Sequence, residues 1–305
     1  MRMHSPLIAV VAGLLVATLG GCPKNVPGGG SVPGGGSVPG GGAVPGGLSG
    51  ASGEIDPNTC GNYAAVDAGR KLKAFLQATK DLDTTLIETA KVVKQSCVMM
   101  GQELGMPPAD LQGESKDVCD RVINTYKANL KVSLKAGAKL TIKLKPAVCT
   151  VDAQASAKAA AGCEGGASAG TGGSAAGGQC KAAAGVDASL HAQCTPPELS
   201  ITAEAGVVLD ASKLERTLKA LRDGLPRLLS IHARLEPLKA AIQIWAQSAT
   251  ELAAMGPKFA QSFADQAMCI TGQINALLSA RTRIEANFSV SVSVSASASA
   301  TASGG

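Results

Sequence analysis

The 305-residue chain predicts an α+β fold: a helical bundle carrying one long, disulfide-braced antiparallel β-hairpin, with a C-terminal strand completing a narrow three-stranded sheet. Three observations carry this. From Lys131 to Ala211, on both sides of a Gly-rich centre, apolar residues alternate with polar ones, the period of two that a half-buried strand needs. Within that stretch Cys163 follows Cys149 by the same spacing that separates Cys180 from Cys194, so one antiparallel register pairs Cys149 with Cys194 and Cys163 with Cys180. On both flanks apolar residues return instead at three- and four-residue spacing, as amphipathic helices require.

In the basal half of the hairpin, Val132, Leu134, Leu140, Ile142 and Leu144 alternate with Lys131, Ser133, Lys139, Thr141 and Lys143. The cysteine register brings Leu199 to Leu209 against them and opposes Lys139 to Glu204, Lys145 to Glu198, Thr141 to Thr202 and Gly137 to Gly206. Such cross-strand pairs contribute about 0.2–1 kcal/mol each, so they select a register more than they hold a fold. In the outer half, Val151, Ala153, Ala155, Ala157, Ala159 and Ala161 oppose apolar partners between Ala182 and Ala192. Pro146, Pro196 and Pro197 mark a bulge between the halves, because proline cannot donate to a ladder. A hairpin of this length would project roughly 100 Å at about 3.3 Å per residue.

At the start, Arg2 precedes an apolar run from Leu7 to Leu19, so residues 1–21 read as a signal peptide too short to span a membrane. The run closes on Leu19-Gly20-Gly21-Cys22, which resembles the lipobox of bacterial lipoproteins. The resemblance covers only these opening residues. It implies cleavage before Cys22, a diacylglycerol on its thiol, a fatty acyl group such as palmitate on its amine, and anchorage in the cell envelope. In the enterobacterial sorting rule an aspartate after the cysteine favours inner-membrane retention, and here Pro23 stands in that place. The resemblance therefore implies the outer membrane.

Residues 22–57 form the anchor and a tether in which Val-Pro-Gly-Gly-Gly-Ser recurs from Val26 to Gly47. The repeat has no side chain able to build a core, so it reads as a linker and not as a solenoid. As a flexible coil it would span on the order of 30 Å, and roughly 110 Å when stretched.

Residues 58–130 and 212–286 are the helical parts. Tyr63 to Gly105 predicts one long helix with Leu72, Phe75, Leu82, Leu86, Val93 and Met100 on a seam diluted by Thr79 and Thr89. After Pro107-Pro108, a second helix capped by Ser115 turns Val118, Val122, Ile123 and Tyr126 inward. Beyond the hairpin (residues 131–211), a helix from Ala211 to Asp223 ends at Gly224 and restarts at Pro226. Leu228 to Met255 continues with a kink at Pro237, and Gly256-Pro257 opens the last helix, which runs to Ala286. Residues 287–305 then alternate Phe288, Val290, Val292 and Val294, followed by alanines, with Ser or Thr301, the pattern of a strand that pairs along one hairpin arm, the alternative being a disordered Ser/Ala tail.

The chain holds nine cysteines, and setting Cys22 aside leaves an even number in an exported protein, which predicts four disulfides. Two are the hairpin rungs. Cys60, Cys97, Cys119 and Cys269 leave three connectivities, of which Cys97 to Cys119 is preferred because the two flank one helix-helix loop, leaving Cys60 to Cys269.

Sites for chemistry are hard to find in this sequence. No C-x-x-C spacing suits thiol redox work, and no spacing of His, Cys, Asp and Glu suggests a metal site. The carboxylates are not paired for acid-base work, and the Gly-rich segments lack the strand-to-helix setting of a phosphate loop. His191 faces Asp152 in the hairpin register, yet no nucleophile is placed beside them. A net charge of +5 is too mild to suggest nucleic acid. Lys131, Lys135, Lys139 and Lys143 recur every fourth residue on one expected strand face, where they could lie along an anionic envelope polymer or simply form a solvated face. The sequence thus implies no catalytic residue, cofactor or small-molecule substrate, and its partners are a membrane through the lipid and proteins of the envelope. Two function classes follow: a structural or assembly lipoprotein that scaffolds or spaces other components, or a pore or export component whose amphipathic strands oligomerise into a barrel.

Overall fold

The computed structural model describes residues 54–135, 140–164, 174–203 and 208–303. Helices dominate: α1 (Asp67–Glu103), α2 (Ser115–Ser133), α3 (Ala153–Glu164), α4 (Ser174–Leu190), α5 (Ala211–Gln261) and α6 (Ala267–Ser303). Strands β1 (Leu140–Lys145) and β4 (Glu198–Ala203) form one antiparallel pair, and β2 (Cys149–Thr150) and β3 (Gln193–Cys194) form another.

The α1 seam holds. Leu72, Phe75, Leu82, Leu86 and Val93 are fully buried, and the helix stops where Gly105 takes φ +74°, the left-handed position that glycine fills without strain. On α2, Val118, Val122, Ile123 and Tyr126 are buried as the spacing requires. Ser115, however, is the first helical residue, and Glu114 occupies the N-cap position with no side-chain cap bond.

Two expected helices and the first turn of a third are one, and the rest of that third helix lies in α6. The 51-residue α5 runs through Gly224, Pro226, Pro237, Gly256 and Pro257 without ending. Gly224 is not a helix terminator; a Cβ there would meet Cγ of Met100 at 2.1 Å, so its bareness lets α5 pack closely on α1. The chain breaks only at Phe263 and Ala264, the latter at φ +46°, before a short 3-10 turn at Ala264–Gln266 leads into α6.

The C-terminal strand is a correction. Residues 288–303 are the second half of α6, so the three-stranded sheet does not form. Ser291, Val294, Ser295 and Ala298 are buried, a helical stripe hidden inside the alternation because every second residue is small. The propensity cost of Val and Ser in a helix is only a few tenths of a kcal/mol each, and burial against the bundle outweighs it.

The hairpin is also corrected, in part. Lys131 to Ser133 belong to α2, whose stripe of Val118, Val122 and Tyr126 continues into Ser133. Leu134 bridges Val208 and not Leu209, whose N–H is taken by the carbonyl of Ser133. The expected register does hold from Leu140 opposite Ala203 to Lys145 opposite Glu198, and again at Cys149 opposite Cys194. The pairs Lys139 with Glu204 and Gly137 with Gly206 lie outside the described residues. The outer half is not a strand pair projecting from the body: α3 and α4 are helices, and α4 packs on α1 and α5. Alanine at every second position fits a helix as well as a strand, and it has the highest helix propensity. It also lets α4 approach closely, with Ala182, Ala183 and Val186 buried.

Candidate functional site

The sequence-predicted site of anchorage, Cys22, lies outside the described residues, as do residues 22–53 of the expected tether, whereas residues 54–57 belong to the described body. What the structure describes is the place where the body begins. Ile55 is buried, the N–H of Asp56 donates to Oε1 of Gln273 at 2.9 Å, and the Tyr63 hydroxyl donates to the carbonyl of Pro57 at 2.8 Å. Cys60 is bonded to Cys269 in the first turn of α6, with the Cα atoms 5.5 Å apart. This crosslink spans 209 residues and constrains the unfolded chain by about 5 kcal/mol under the chain-entropy argument. The first residues of the body are thus pinned by a covalent bond and three polar or apolar contacts.

The other disulfides are Cys97 with Cys119, joining α1 to α2; Cys149 with Cys194, joining β2 to β3; and Cys163 with Cys180, joining α3 to α4. The two hairpin rungs therefore clamp a short ladder and a helical hairpin, not one continuous sheet.

The lysine row is not brought together on a strand face. Lys131 is helical, Lys135 follows the isolated bridge, Lys139 lies outside the described residues, and Lys143 sits in β1 opposite Ser200. Lys145 does meet Glu198 at 2.6 Å, but both side chains are about 70% exposed, so this pair contributes little.

The histidines take local roles. The ring of His191 lies 2.9 Å from the carbonyl oxygen of Asp187 and 3.4 Å from its carboxylate. Asp152 instead starts α3, accepting from the N–H groups of Ala155 and Gln154, and these bonds hold its carboxyl below the usual range. Nδ1 of His232 lies 3.4 Å from the hydroxyl of Ser295, which is fully buried. Among the described residues, no group of three His, Cys, Asp or Glu is placed to hold a metal ion, and no helix is long and apolar enough to cross a membrane.

Two contacts had no signal in the sequence. Arg283 on α6 pairs with Asp83 on α1 at 2.6 Å, and Trp245 on α5 bonds Thr79 on α1. Both join residues far apart in the chain, where no periodicity reports proximity. Comparison with protein-family models, with curated proteins and with solved structures found no match.

Proposed function

We propose that this chain is an outer-membrane lipoprotein of the bacterial envelope, anchored through acylated Cys22, whose helical body acts as a scaffold for other envelope components without turnover of its own. The observation that carries the reading is the succession from Leu19 to Cys60: a processing motif, a coreless tether, then a crosslink. A tether passes any load to the first fixed point beyond it. In this chain the first covalent fixed point is the Cys60–Cys269 bond, just after the contacts of Ile55 and Asp56, so a pull from the anchor falls on α6 and not on a fraying terminus. The partners this implies are the membrane, through the lipid, and envelope proteins, through the body.

The pore reading drew on the amphipathic strands of the whole long hairpin. Its outer arms fall in α3 and α4, and among the described residues six residues of each basal arm remain paired as β1 and β4, so the helical body supports the scaffold reading better.

Metabolic labelling with palmitate, followed by membrane fractionation, tests the proposal. The expected result is a labelled protein in the outer membrane and no label in Cys22→Ser. Label that persists in Cys22→Ser, or a wild-type protein recovered unlabelled, sinks it.

A further inference from the structure

We infer that the cleft left where α4 stops, between α1 and α5, receives an amphipathic helix of a protein partner, seated by large apolar side chains and oriented by opposite charges on its two walls. The inference rests on the scaffold reading and gives the partner its chemistry.

α4 covers the groove between α1 and α5 as far as Leu190, where the helix ends. At that end the groove holds an open-mouthed cavity of about 240 Å³, closed on the α4 side by Ser189, Leu190 and Ala192. Thr85, Glu88, Thr89 and Val92 line it from α1, and Ile231, Arg234, Leu235 and Leu238 line it from α5. Each set follows the i, i+3, i+4, i+7 spacing of a single helix face, so the cleft is a seat for a third helix laid on two. α4 already occupies such a seat on the same two helices.

The cavity has an apolar floor and a charged rim. Leu235 and Leu238 are 3% and 4% exposed, whereas Val92 at the mouth is 41% exposed. The space exceeds the roughly 150 Å³ of a dry cavity that accepts a benzene-sized group, so it takes a leucine or phenylalanine side chain as a knob. Glu88 stands on one wall and Arg234 on the other, both exposed, and among the described residues neither makes an ion pair or a side-chain hydrogen bond. A simple fatty acid or a simple amine would meet one like charge. A helix with its basic flank toward α1 and its acidic flank toward α5 satisfies both, and the reversed orientation is rejected.

The probe is a synthetic amphipathic helix with two leucines four residues apart, lysine on one flank and glutamate on the other, titrated calorimetrically into the full-length protein in detergent. The expected result is saturable one-to-one binding that weakens at least tenfold in Val92→Trp, which blocks the mouth from an exposed position. Exchanging the rim charges, Glu88→Arg with Arg234→Glu, should transfer binding to the peptide with its flanks exchanged. No saturable binding to the wild type, binding unchanged by Val92→Trp, or a charge-exchanged protein that keeps its preference for the first peptide overturns the inference. Palmitate labelling does not depend on the cleft, so failure here is distinct from failure of the lipoprotein reading.

Discussion

The indole N–H of Trp245 donates to Oγ1 of Thr79 at 2.8 Å, and the Thr79 hydroxyl donates in turn to the carbonyl of Phe75 at 2.8 Å. Both residues are fully buried, and the Trp245 ring stacks on Phe75. One polar thread thus crosses the apolar interface between α1 and α5 and explains why a threonine interrupts the seam of α1.

Replacing Thr79 by valine keeps the shape and removes the acceptor, leaving a buried indole N–H unpaired. The expected loss is about 1–3 kcal/mol in urea denaturation followed by the fluorescence of the single tryptophan. Thr79→Ser should lose less, because the hydroxyl remains. A Thr79→Val protein as stable as the wild type would mean that the indole needs no partner.

Gly224 and Gly256 lie in the same helix and should respond oppositely to alanine. A Cβ on Gly224 would meet Met100 at 2.1 Å, and Met100 is itself buried, so Gly224→Ala is expected to cost about 1–3 kcal/mol through overpacking. A Cβ on Gly256 would meet nothing within 4 Å among the described residues, so Gly256→Ala should stabilise by up to about 1 kcal/mol through helix propensity. Thermal unfolding of the two variants checks the sign of each.

The chain has two tyrosines, and both resist ionisation. Burial, and then the charge of Asp56, pushes Tyr63 from its ordinary 10.0 up to about 12, and burial alone pushes Tyr126 up to about 12. Because the folded values lie above the unfolded ones, the stability linked to them is intact below pH 10.0 and falls as pH rises toward about 12. The slope is about 1.4 kcal/mol per pH unit for each tyrosine. Absorbance of tyrosinate should therefore appear together with unfolding. A separate ionisation near pH 10.0 in a still-folded protein would contradict the burial.

Ser291 distinguishes a helical C-terminal segment from a strand. Its hydroxyl is buried in α6 with no hydrogen-bond partner among the described residues, so Ser291→Ala should remove a desolvation cost and raise helix propensity together. The expected gain is about 1 kcal/mol, with unchanged or greater helical circular dichroism. A solvent-facing serine on a strand would instead leave stability unchanged, or lower, after the same substitution.

Two kinds of information were legible in the residues alone. The seam of α1 could be read because bulky Leu, Phe and Val at helical spacing can be buried together in only one way. The register of β1 on β4 could also be read, because the positions of Cys149 and Cys194 allow one alignment and Leu140, Ile142 and Leu144 have the bulk to commit a face. The same spacing argument named Cys163 with Cys180, and loop proximity named Cys97 with Cys119, the bonds the structure contains.

The Ala- and Ser-rich segments were not legible, for a physical reason. Alternation specifies a strand only when the larger residue of each pair is too large to sit elsewhere. In Ala153–Glu164, Ser174–Leu190 and the second half of α6, alanine and serine are small enough to be buried at any spacing. The choice between helix and strand then passes to the surface available for burial. The sequence by itself determined the bulky seam, the local register and the covalent pairs. Only the tertiary structure decided that α4 and the end of α6 are helices, because the faces that bury them belong to α1 and α5, elements distant in the chain.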